Sequence, residues 1–273
     1  MQKVLATKEN SKIATIICEE FCRPSADSVP SKVNLVYTGS ELSGEPHKAD
    51  LAGYQDKDSY FTALETDYPE KLMEHDGAVI VASHQYRRQD ATCYRPPDGV
   101  VSTLNVSPTL LNDPSFVNLL IQQLSPNHQG FVTAVELTEP RGTYTKKQID
   151  TCFYAIEILR AHKIPVIADD LPPDLVRDFR SSNLPCFDGI KFDRNTTKMI
   201  ADEGLNALSF ATQKILRYCL DQGHRVIFEG ATPSDVQKIV GIFGPLCEFQ
   251  GWELSAPIRK NPRHALSGVT AAL

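Results

Sequence analysis

Short apolar runs that stop at a polar or charged residue recur along the last two thirds of the chain. Each run has the length of a strand, and each is followed by enough residues for one helix and its return. The six runs end in Asn105, Glu136, Asp169-Asp170, Lys191, Glu229 and Gln250. Strands that are buried on both faces have continuous apolar runs because neither face meets water. The pattern therefore predicts repeated βα units around a parallel sheet.

Two α/β architectures are built from such repeats, a closed barrel and an open doubly wound sheet. The open sheet usually carries a glycine-rich phosphate loop after its first strand, but neither GxGxxG nor GxxxxGK[ST] occurs in the sequence. In a barrel the carboxyl ends of the parallel strands meet at one mouth, which would gather the polar strand ends. The sequence therefore predicts a modified TIM-like (βα)8 barrel.

The first third of the chain, residues 1–99, follows this pattern poorly. Residues 13–18 fit a strand or the start of a helix, and residues 32–37 fit a strand, so the two segments are candidates for an antiparallel hairpin. Residues 40–58 are polar and rich in Gly, Pro and His, which predicts a long loop. Further along the chain, helical spacing of apolar residues predicts one continuous helix over residues 201–222.

The composition is that of a soluble globular protein, with 41% hydrophobic and 23% charged residues. No apolar stretch approaches the roughly 20 residues of a membrane span, and the polar N-terminus has no signal sequence, so a cytoplasmic protein without membrane association is expected. The formal net charge of −6 argues against direct binding of nucleic acid. The seven cysteines form no CxxC pair and fit buried thiols in a reducing compartment.

Carboxylates and amides dominate the polar strand ends. Asp169 and Asp170 are adjacent, and two neighbouring acids persist most readily where a cation holds them, although the pair can also simply open the turn before Pro172. If the pair converges with Asn105 and Glu136, the group offers only oxygen ligands. Oxygen ligands suit Mg²⁺, Mn²⁺ or Ca²⁺ and do not suit zinc.

Such a site with two metal ions activates a water and holds a phosphate diester. Asp169 is the natural bridging ligand between the ions. Lys191 can lower the pKa of the water or stabilise developing charge, while Glu229 and Gln250 can orient the water and the second ion. The strand ends therefore predict metal-assisted chemistry on a phosphate ester.

The strand ends also lie in motifs with a characteristic order and spacing. The segments are Leu104-Asn105-Val106-Ser107, Val135-Glu136-Leu137-Thr138-Glu139, Ala168-Asp169-Asp170, Ile190-Lys191-Phe192-Asp193-Arg194, Phe228-Glu229-Gly230 and Phe249-Gln250-Gly251-Trp252. They resemble the patterns VNxS, LEITE, ADDFG, IKIDR, AEGVE and QGYLFSRP of the EAL domain, a barrel that binds the bacterial second messenger cyclic di-GMP and hydrolyses it in active members. The resemblance implies one EAL-type barrel domain over residues 1–273, with 1–99 divergent, 100–258 well matched and 259–273 a C-terminal tail.

The resemblance also implies a role for each matching residue. The implied metal ligands, for Mg²⁺ or Mn²⁺, are Asn105, Glu136, Asp169 and Asp170. The implied catalytic residues are Lys191, Glu229, Gln250 and Glu139. The implied contacts of cyclic di-GMP are Asp193, Arg194, Gln250 and Gly251.

The Glu-Ala-Leu signature of the family is absent from the sequence. If residues 21–27 stand for the family's opening YQPIVD, the signature falls on Tyr37-Thr38-Gly39. If residues 52–55 stand for VGYE, Gln55 takes the place of its Glu. In both alignments a metal-binding carboxylate is missing, and so is the phosphate-contacting Arg that follows it in the family.

Two more departures lie close to the predicted site. The loop after Asp170, residues 171–175, has none of the glycines of the family's DFGTGYSSL, and Thr232 replaces the second Glu of AEGVE. Because losing a carboxylate weakens the binding of both ions, the sequence predicts a weakened metal site and a degenerate, non-hydrolytic protein. Such a protein would act by binding cyclic di-GMP, a protein partner such as a transcription regulator, or both, with a homodimer as one assembly.

The alternative is an active, metal-dependent cyclic di-GMP phosphodiesterase that releases the linear dinucleotide. It requires a substitute metal ligand from the early loop, for which Glu41, Glu45 and Asp50 are the candidates.

Overall fold

The computed structural model describes residues 15–29, 31–46, 48–90, 101–125, 132–174, 178–255 and 258–260. The strands are β1 (Thr15–Pro24), β2 (Leu35–Glu45), β3 (Val101–Val106), β4 (Val132–Leu137), β5 (Val166–Leu171), β6 (Gly189–Phe192), β7 (Arg225–Phe228), β8 (Glu248–Gln250) and β9 (Ile258–Lys260). The helices are α1 (Lys57–Asp67), α2 (Pro69–Asp90), α3 (Pro114–Leu124), α4 (Lys146–Ala161), α5 (Arg194–Glu203), α6 (Phe210–Asp221) and α7 (Pro233–Phe243). None of the helices in these ranges is both long enough and apolar enough to cross a membrane.

The strands form a closed barrel. β2 to β8 lie side by side in chain order as parallel neighbours. β1 pairs antiparallel with β2 on one side and with β8 on the other, which closes the barrel. β9 pairs with the beginning of β1, next to β8. The predicted modified (βα)8 barrel is therefore confirmed. An antiparallel hairpin lies at its start, but residues 15–18 pair with residues 42–45 and not with the predicted segment 32–37.

The interior of the barrel has an apolar floor beneath the polar strand ends. Phe21, Ala134, Ile167 and Ile227 form a separate buried cluster that draws on β1, β4, β5 and β7. Because side chains alternate between the two faces of a strand, a residue two positions along from each of these points to the same side. Those residues are Glu19, Glu136, Asp169 and Glu229, so the strand pattern itself directs four carboxylates toward the barrel axis.

The predicted loop over residues 40–58 is wrong in its first part. Residues 40–45 continue β2, where Glu41 pairs with Glu19 of β1 on one side and Thr103 of β3 on the other. Apart from the buried Leu42, these residues are polar or glycine and have low intrinsic preference for a strand. Their extended conformation is imposed by the backbone hydrogen bonds of the two neighbouring strands.

The predicted continuous helix over residues 201–222 is also wrong. The backbone leaves the helical conformation at Gly204, whose φ is +69°, and passes through a short 3₁₀ turn. Ser209 then caps α6 by accepting a hydrogen bond from the amide of Thr212. A positive φ suits glycine because it has no Cβ, and this glycine ends α5.

Candidate functional site

A buried lysine lies at the centre of the barrel mouth. Lys191 Nζ donates hydrogen bonds to Glu41 Oε2 at 2.9 Å and to Glu136 Oε2 at 3.2 Å. It also lies 3.1 Å from Asp169 Oδ1 and 3.8 Å from Glu229 Oε1. The lysine side chain is only 1% exposed. We call these four carboxylates and their lysine the carboxylate ring.

Glu41 supplies the carboxylate that both sequence alignments left missing. It comes from the second half of β2 and is 8% exposed. Besides Lys191, it accepts hydrogen bonds from Asn105 Nδ2 at 2.6 Å and from Gln250 Nε2 at 2.9 Å. Of the substitute ligands that the sequence offered, Glu41 thus reaches the mouth, because β2 extends further than its apolar residues indicate.

A further carboxylate, Glu19 of β1, joins the site from the antiparallel strand. Glu19 accepts a hydrogen bond from Gln250 Nε2 at 2.8 Å and one from Trp252 Nε1 at 3.3 Å. Ligand oxygens of Glu19, Glu41 and Glu229 lie within 4.8 Å of one another, close enough to share one cation. Sequence analysis missed Glu19 because it precedes the motifs. The available signal was its position two residues before the apolar Phe21.

A backbone irregularity keeps both acids of the Asp169-Asp170 pair near the mouth. In a regular strand two successive side chains point to opposite faces. Here the pairing of β5 with β6 shifts between Ala168 and Leu171, and Asp170 has a φ of +48°. Asp169 is buried in the carboxylate ring and Asp170 is half-buried. Burial raises the pKa of Asp169 and of Glu229, and the charge of Asp170 adds to the rise.

A buried arginine supports the backbone beneath these acids. Arg180 is fully buried and its guanidinium donates hydrogen bonds to the backbone oxygens of Leu137 at 2.7 Å and Asp169 at 2.5 Å. Its charge is balanced by Asp178 at 2.6 Å. The arginine therefore links the ends of β4 and β5. Nothing in the sequence marks it, since it lies in an irregular segment between two strands.

The carboxylate ring contains more acidic groups than its one lysine can neutralise. Burial raises the pKa of Glu136, Asp169 and Glu229, and the attraction of Lys191 does not offset this effect. Burial acts in the same direction on Glu41, but Lys191 and the hydrogen bonds from Gln250 and Asn105 outweigh it and lower the pKa of Glu41. One ammonium therefore faces four carboxylates in a poorly hydrated site.

The residues at this mouth fit a divalent cation with oxygen ligands. The carbonyl oxygens Asn105 Oδ1 and Gln250 Oε1 are buried and accept no hydrogen bond from any residue that the structure describes. Buried acceptors without a partner are rare because leaving them unpaired costs free energy. Together with the carboxylates of Glu41, Glu136 and Asp169, they form the kind of donor set that Mg²⁺, Mn²⁺ or Ca²⁺ prefers.

The remaining residues implied by the resemblance lie outside the carboxylate ring. Glu139 lies beyond β4, where partial burial of its carboxyl and the nearby Asp170 raise its pKa. Asp193 caps α5 by accepting a hydrogen bond from the Thr196 amide at 2.6 Å. Arg194 is the first residue of α5 and covers Gly230, and Gly251 approaches the Ala231 backbone so closely that a Cβ would lie 2.2 Å from its oxygen. Their catalytic and ligand-binding roles stay predictions.

Comparison with known proteins shows a likeness in structure alone. No protein-family model and no curated protein matches the chain. Among solved structures, the EAL enzyme Bd1971 in its cAMP and cyclic-di-GMP bound form is 16% identical with a TM-score of 0.61, and the match covers 93% of this chain. The chain spans 65% of the length of Bd1971.

Two further solved structures match this chain over nearly their whole length. The MucR phosphodiesterase in complex with c-di-GMP is 17% identical with a TM-score of 0.59, and the match covers 88% of this chain and 92% of that one. The EAL domain of Mycobacterium smegmatis DcpA is 15% identical with a TM-score of 0.58, with coverages of 95% and 96%. The chain therefore has the EAL-type barrel fold.

Proposed function

We propose that this protein is a divalent-metal-dependent phosphodiesterase that opens cyclic di-GMP to the linear dinucleotide. The observation that carries the proposal is Glu41, which completes a set with Asn105, Glu136, Asp169 and Lys191 at the barrel mouth. The prediction of a non-hydrolytic protein rested first on the loss of this carboxylate. With Glu41 present, the reason to expect a weakened metal site is much reduced.

In this reaction the acidic and amide side chains of the mouth would hold divalent cations. When bound, divalent cations supply a Lewis acid for the phosphate oxygens and lower the pKa of a water ligand. Asn105, Glu41, Glu136 and Asp169 would hold one such ion, and Glu19, Glu41 and Glu229 have oxygens close enough to hold another.

Lys191 and Glu229 would handle charge and protons. Lys191 Nζ orients the carboxylates of Glu41 and Glu136 through hydrogen bonds and can stabilise negative charge that develops on the phosphate. Glu229 is the most accessible member of the carboxylate ring, with 29% of its side chain exposed. Its carboxylate can accept the proton of an attacking water and deliver it to solvent or to the leaving oxygen.

A second candidate function is binding of cyclic di-GMP or a protein partner without hydrolysis. Three observations favour it. The segment after Asp170 is Leu171-Pro172-Pro173, which lacks the glycines of active relatives, and β2 ends in Glu45 with no Arg following Glu41 in that strand. Thr232 caps α7 through the amide of Asp235 and offers no carboxylate to the mouth.

The deciding experiment is hydrolysis of cyclic di-GMP by the purified chain in Mn²⁺ or Mg²⁺, with the linear product separated by chromatography. We expect turnover in the wild type and a loss on the order of 100-fold in kcat/KM for Glu41→Gln, because a charged group that acts on the reacting centre becomes neutral. Glu157→Gln, an exposed position on α4, is the matched control and should keep wild-type activity. Tight binding of intact ligand by an inactive wild type would favour the second candidate.

A further inference from the structure

The backbone oxygen of Asp169 lies beyond the regular pairing of its strand. The last residue pair between β4 and β5 is Leu137 with Ala168, one position before Asp169. On the other side, the pairing of β5 with β6 passes from Ala168 to Leu171 and skips both acids of the Asp169-Asp170 pair. A buried carbonyl costs free energy when no donor satisfies it. The end of β5 therefore depends on a donor from outside the strand ladder.

Arg180 supplies that donor from the segment between β5 and β6. Its Nη1 donates to the backbone oxygens of Asp169 at 2.5 Å and of Leu137 at 2.7 Å, and so joins the ends of two neighbouring strands. The other two nitrogens, Nε and Nη2, donate to the carboxylate of Asp178. Arg180 has no exposed surface, and each nitrogen of its planar guanidinium has an acceptor. The guanidinium is therefore held in one orientation.

The carbonyl that Arg180 holds belongs to a member of the carboxylate ring. An aspartate side chain has only two rotatable bonds, so a shift of the Asp169 backbone passes directly to its carboxylate. The next residue, Asp170, has a φ of +48°, which residues other than glycine rarely adopt without support. Bonds of about 2.0–2.6 Å between a divalent cation and its oxygen ligands tolerate little displacement of the ligand. A fixed backbone at Asp169 thus favours metal binding.

We propose that Arg180 is a positioning residue of the metal site, which sets the affinity of the carboxylate ring for divalent cations by holding the Asp169 carbonyl. The inference rests on the proposed function, since it takes Asp169 to be a metal ligand. Residues that orient a metal ligand from behind typically contribute about 10- to 100-fold to metal affinity. Because Asp178 balances the charge of Arg180, the hydrogen bonds and not the net charge carry the effect.

A double variant, Arg180→Met with Asp178→Asn, removes these donors without changing the net charge of the pair. It leaves no buried charge unpaired, and the new asparagine still accepts a hydrogen bond from the amide of residue 180. The matched control is Arg225→Met with Glu248→Gln. Arg225 Nε donates to Glu248 Oε1 at 2.9 Å, and both residues begin their strands, at the end of the barrel opposite the mouth.

The experiment is calorimetric titration of the wild type and the two double variants with Ca²⁺, at a temperature at which all three are folded. We expect roughly 10-fold weaker binding in the Arg180 double variant and wild-type affinity in the Arg225 double variant, although both melt at lower temperature. In hydrolysis of cyclic di-GMP, the Arg180 double variant should need roughly 10-fold more Mn²⁺ for half-maximal rate. Its KM for cyclic di-GMP at saturating Mn²⁺ should equal that of the wild type.

Arg180→Lys replaces the double variant if the latter does not fold, because one ammonium keeps the charge but cannot serve Asp178 and both carbonyls as the guanidinium does. Wild-type Ca²⁺ affinity in a folded Arg180 variant would overturn the inference and leave the proposed function intact. Equal losses of affinity in the Arg180 and Arg225 variants would make the arginine purely structural. A wild type that binds neither Ca²⁺ nor Mn²⁺ would overturn the proposed function as well.

Discussion

Lys191 is the residue on which the electrostatics of the mouth depend. Burial acts to lower its pKa, but Asp169, Glu136 and Glu41 outweigh burial and raise it well above the usual lysine range. The lysine therefore stays charged while it separates carboxylates that would otherwise repel one another. Its strand position was evident from sequence, but its contacts with Glu41 were not.

We predict that Lys191→Met lowers the free energy of unfolding by about 3 kcal/mol in metal-free buffer, because it removes one partner of a buried ion cluster. Mn²⁺ should restore more stability to this variant than to the wild type. The measurement is denaturant unfolding with and without Mn²⁺. Lys198→Met is the control: Lys198 pairs with Asp202 and Asp235 and has 58% of its side chain exposed, so a much smaller loss is expected. Equal losses in both variants would contradict the prediction.

Gly251 has a packing role that a side chain would prevent. A Cβ at this position would lie 2.2 Å from the backbone oxygen of Ala231, which cannot move like a flexible side chain. We predict that Gly251→Ala costs about 2 kcal/mol of unfolding free energy in thermal or denaturant melts. Gly77→Ala in α2 is the control, because its Cβ would meet only Leu119 Cδ2 at 3.7 Å and should be neutral or stabilising. A destabilisation that is equal at the two positions would argue against the close approach.

At the scale of whole elements, the helices begin where the sequence provides side-chain caps. α3 starts after Asp113, which accepts a hydrogen bond from the Ser115 amide at 2.7 Å, and α7 starts after Thr232 with a capping box to Asp235. Pro233 occupies the first turn of α7, where a missing amide hydrogen has no cost.

We predict that Asp113→Ala lowers the free energy of unfolding by about 1 kcal/mol at neutral pH. The hydrogen bonds from the Ser115 side chain and backbone hold the pKa of Asp113 below its ordinary value of 3.8. A lowered pKa means that the carboxylate stabilises the fold above 3.8 and that this contribution is lost as the pH falls through the folded-state pKa. The difference between wild type and Asp113→Ala should therefore shrink in acid.

Asp113→Asn provides the matched control for this cap, because Asn also caps helices but does not titrate. Its difference from the wild type should be small at neutral pH. A wild-type advantage over Asp113→Ala that persists unchanged in acid would mean that the charge of Asp113 is irrelevant to the cap.

At the scale of the molecule, barrel closure joins segments from both ends of the described chain. β1 closes the barrel against β8 and brings Glu19 to Gln250, which is 231 positions further along the sequence. Around the barrel, a continuous apolar core joins the strands to the helices. Because each strand pairs with the next, loss of one pairing opens the whole mouth.

Three buried cysteines offer a test of this cooperativity. Burial raises the pKa of Cys152 to about 12, of Cys219 to about 11 and of Cys247 to about 12, so almost no thiolate is present near neutral pH. We predict that the three thiols react with an alkylating reagent only at the rate of global unfolding, and that Mn²⁺ slows all three equally. Peptide mapping by mass spectrometry follows each site. Rapid labelling of one cysteine would show that its part of the barrel opens independently.

The sequence by itself determined the parallel part of the barrel and most of its mouth. Strands contain the runs leading to Asn105, Glu136, Asp169, Lys191 and Gln250, because a strand buried on both faces must be apolar. A polar residue at the end of such a strand indicates a functional site. The convergence of these residues at one mouth follows from the geometry of parallel strands in a barrel.

Only the tertiary structure brought Glu41 and Glu19 to the mouth. Residues 40–45 have no apolar pattern, and they form a strand because β1 and β3 supply hydrogen-bond partners on both sides. Side-chain periodicity records burial within one element, whereas these contacts join elements that are far apart in the chain.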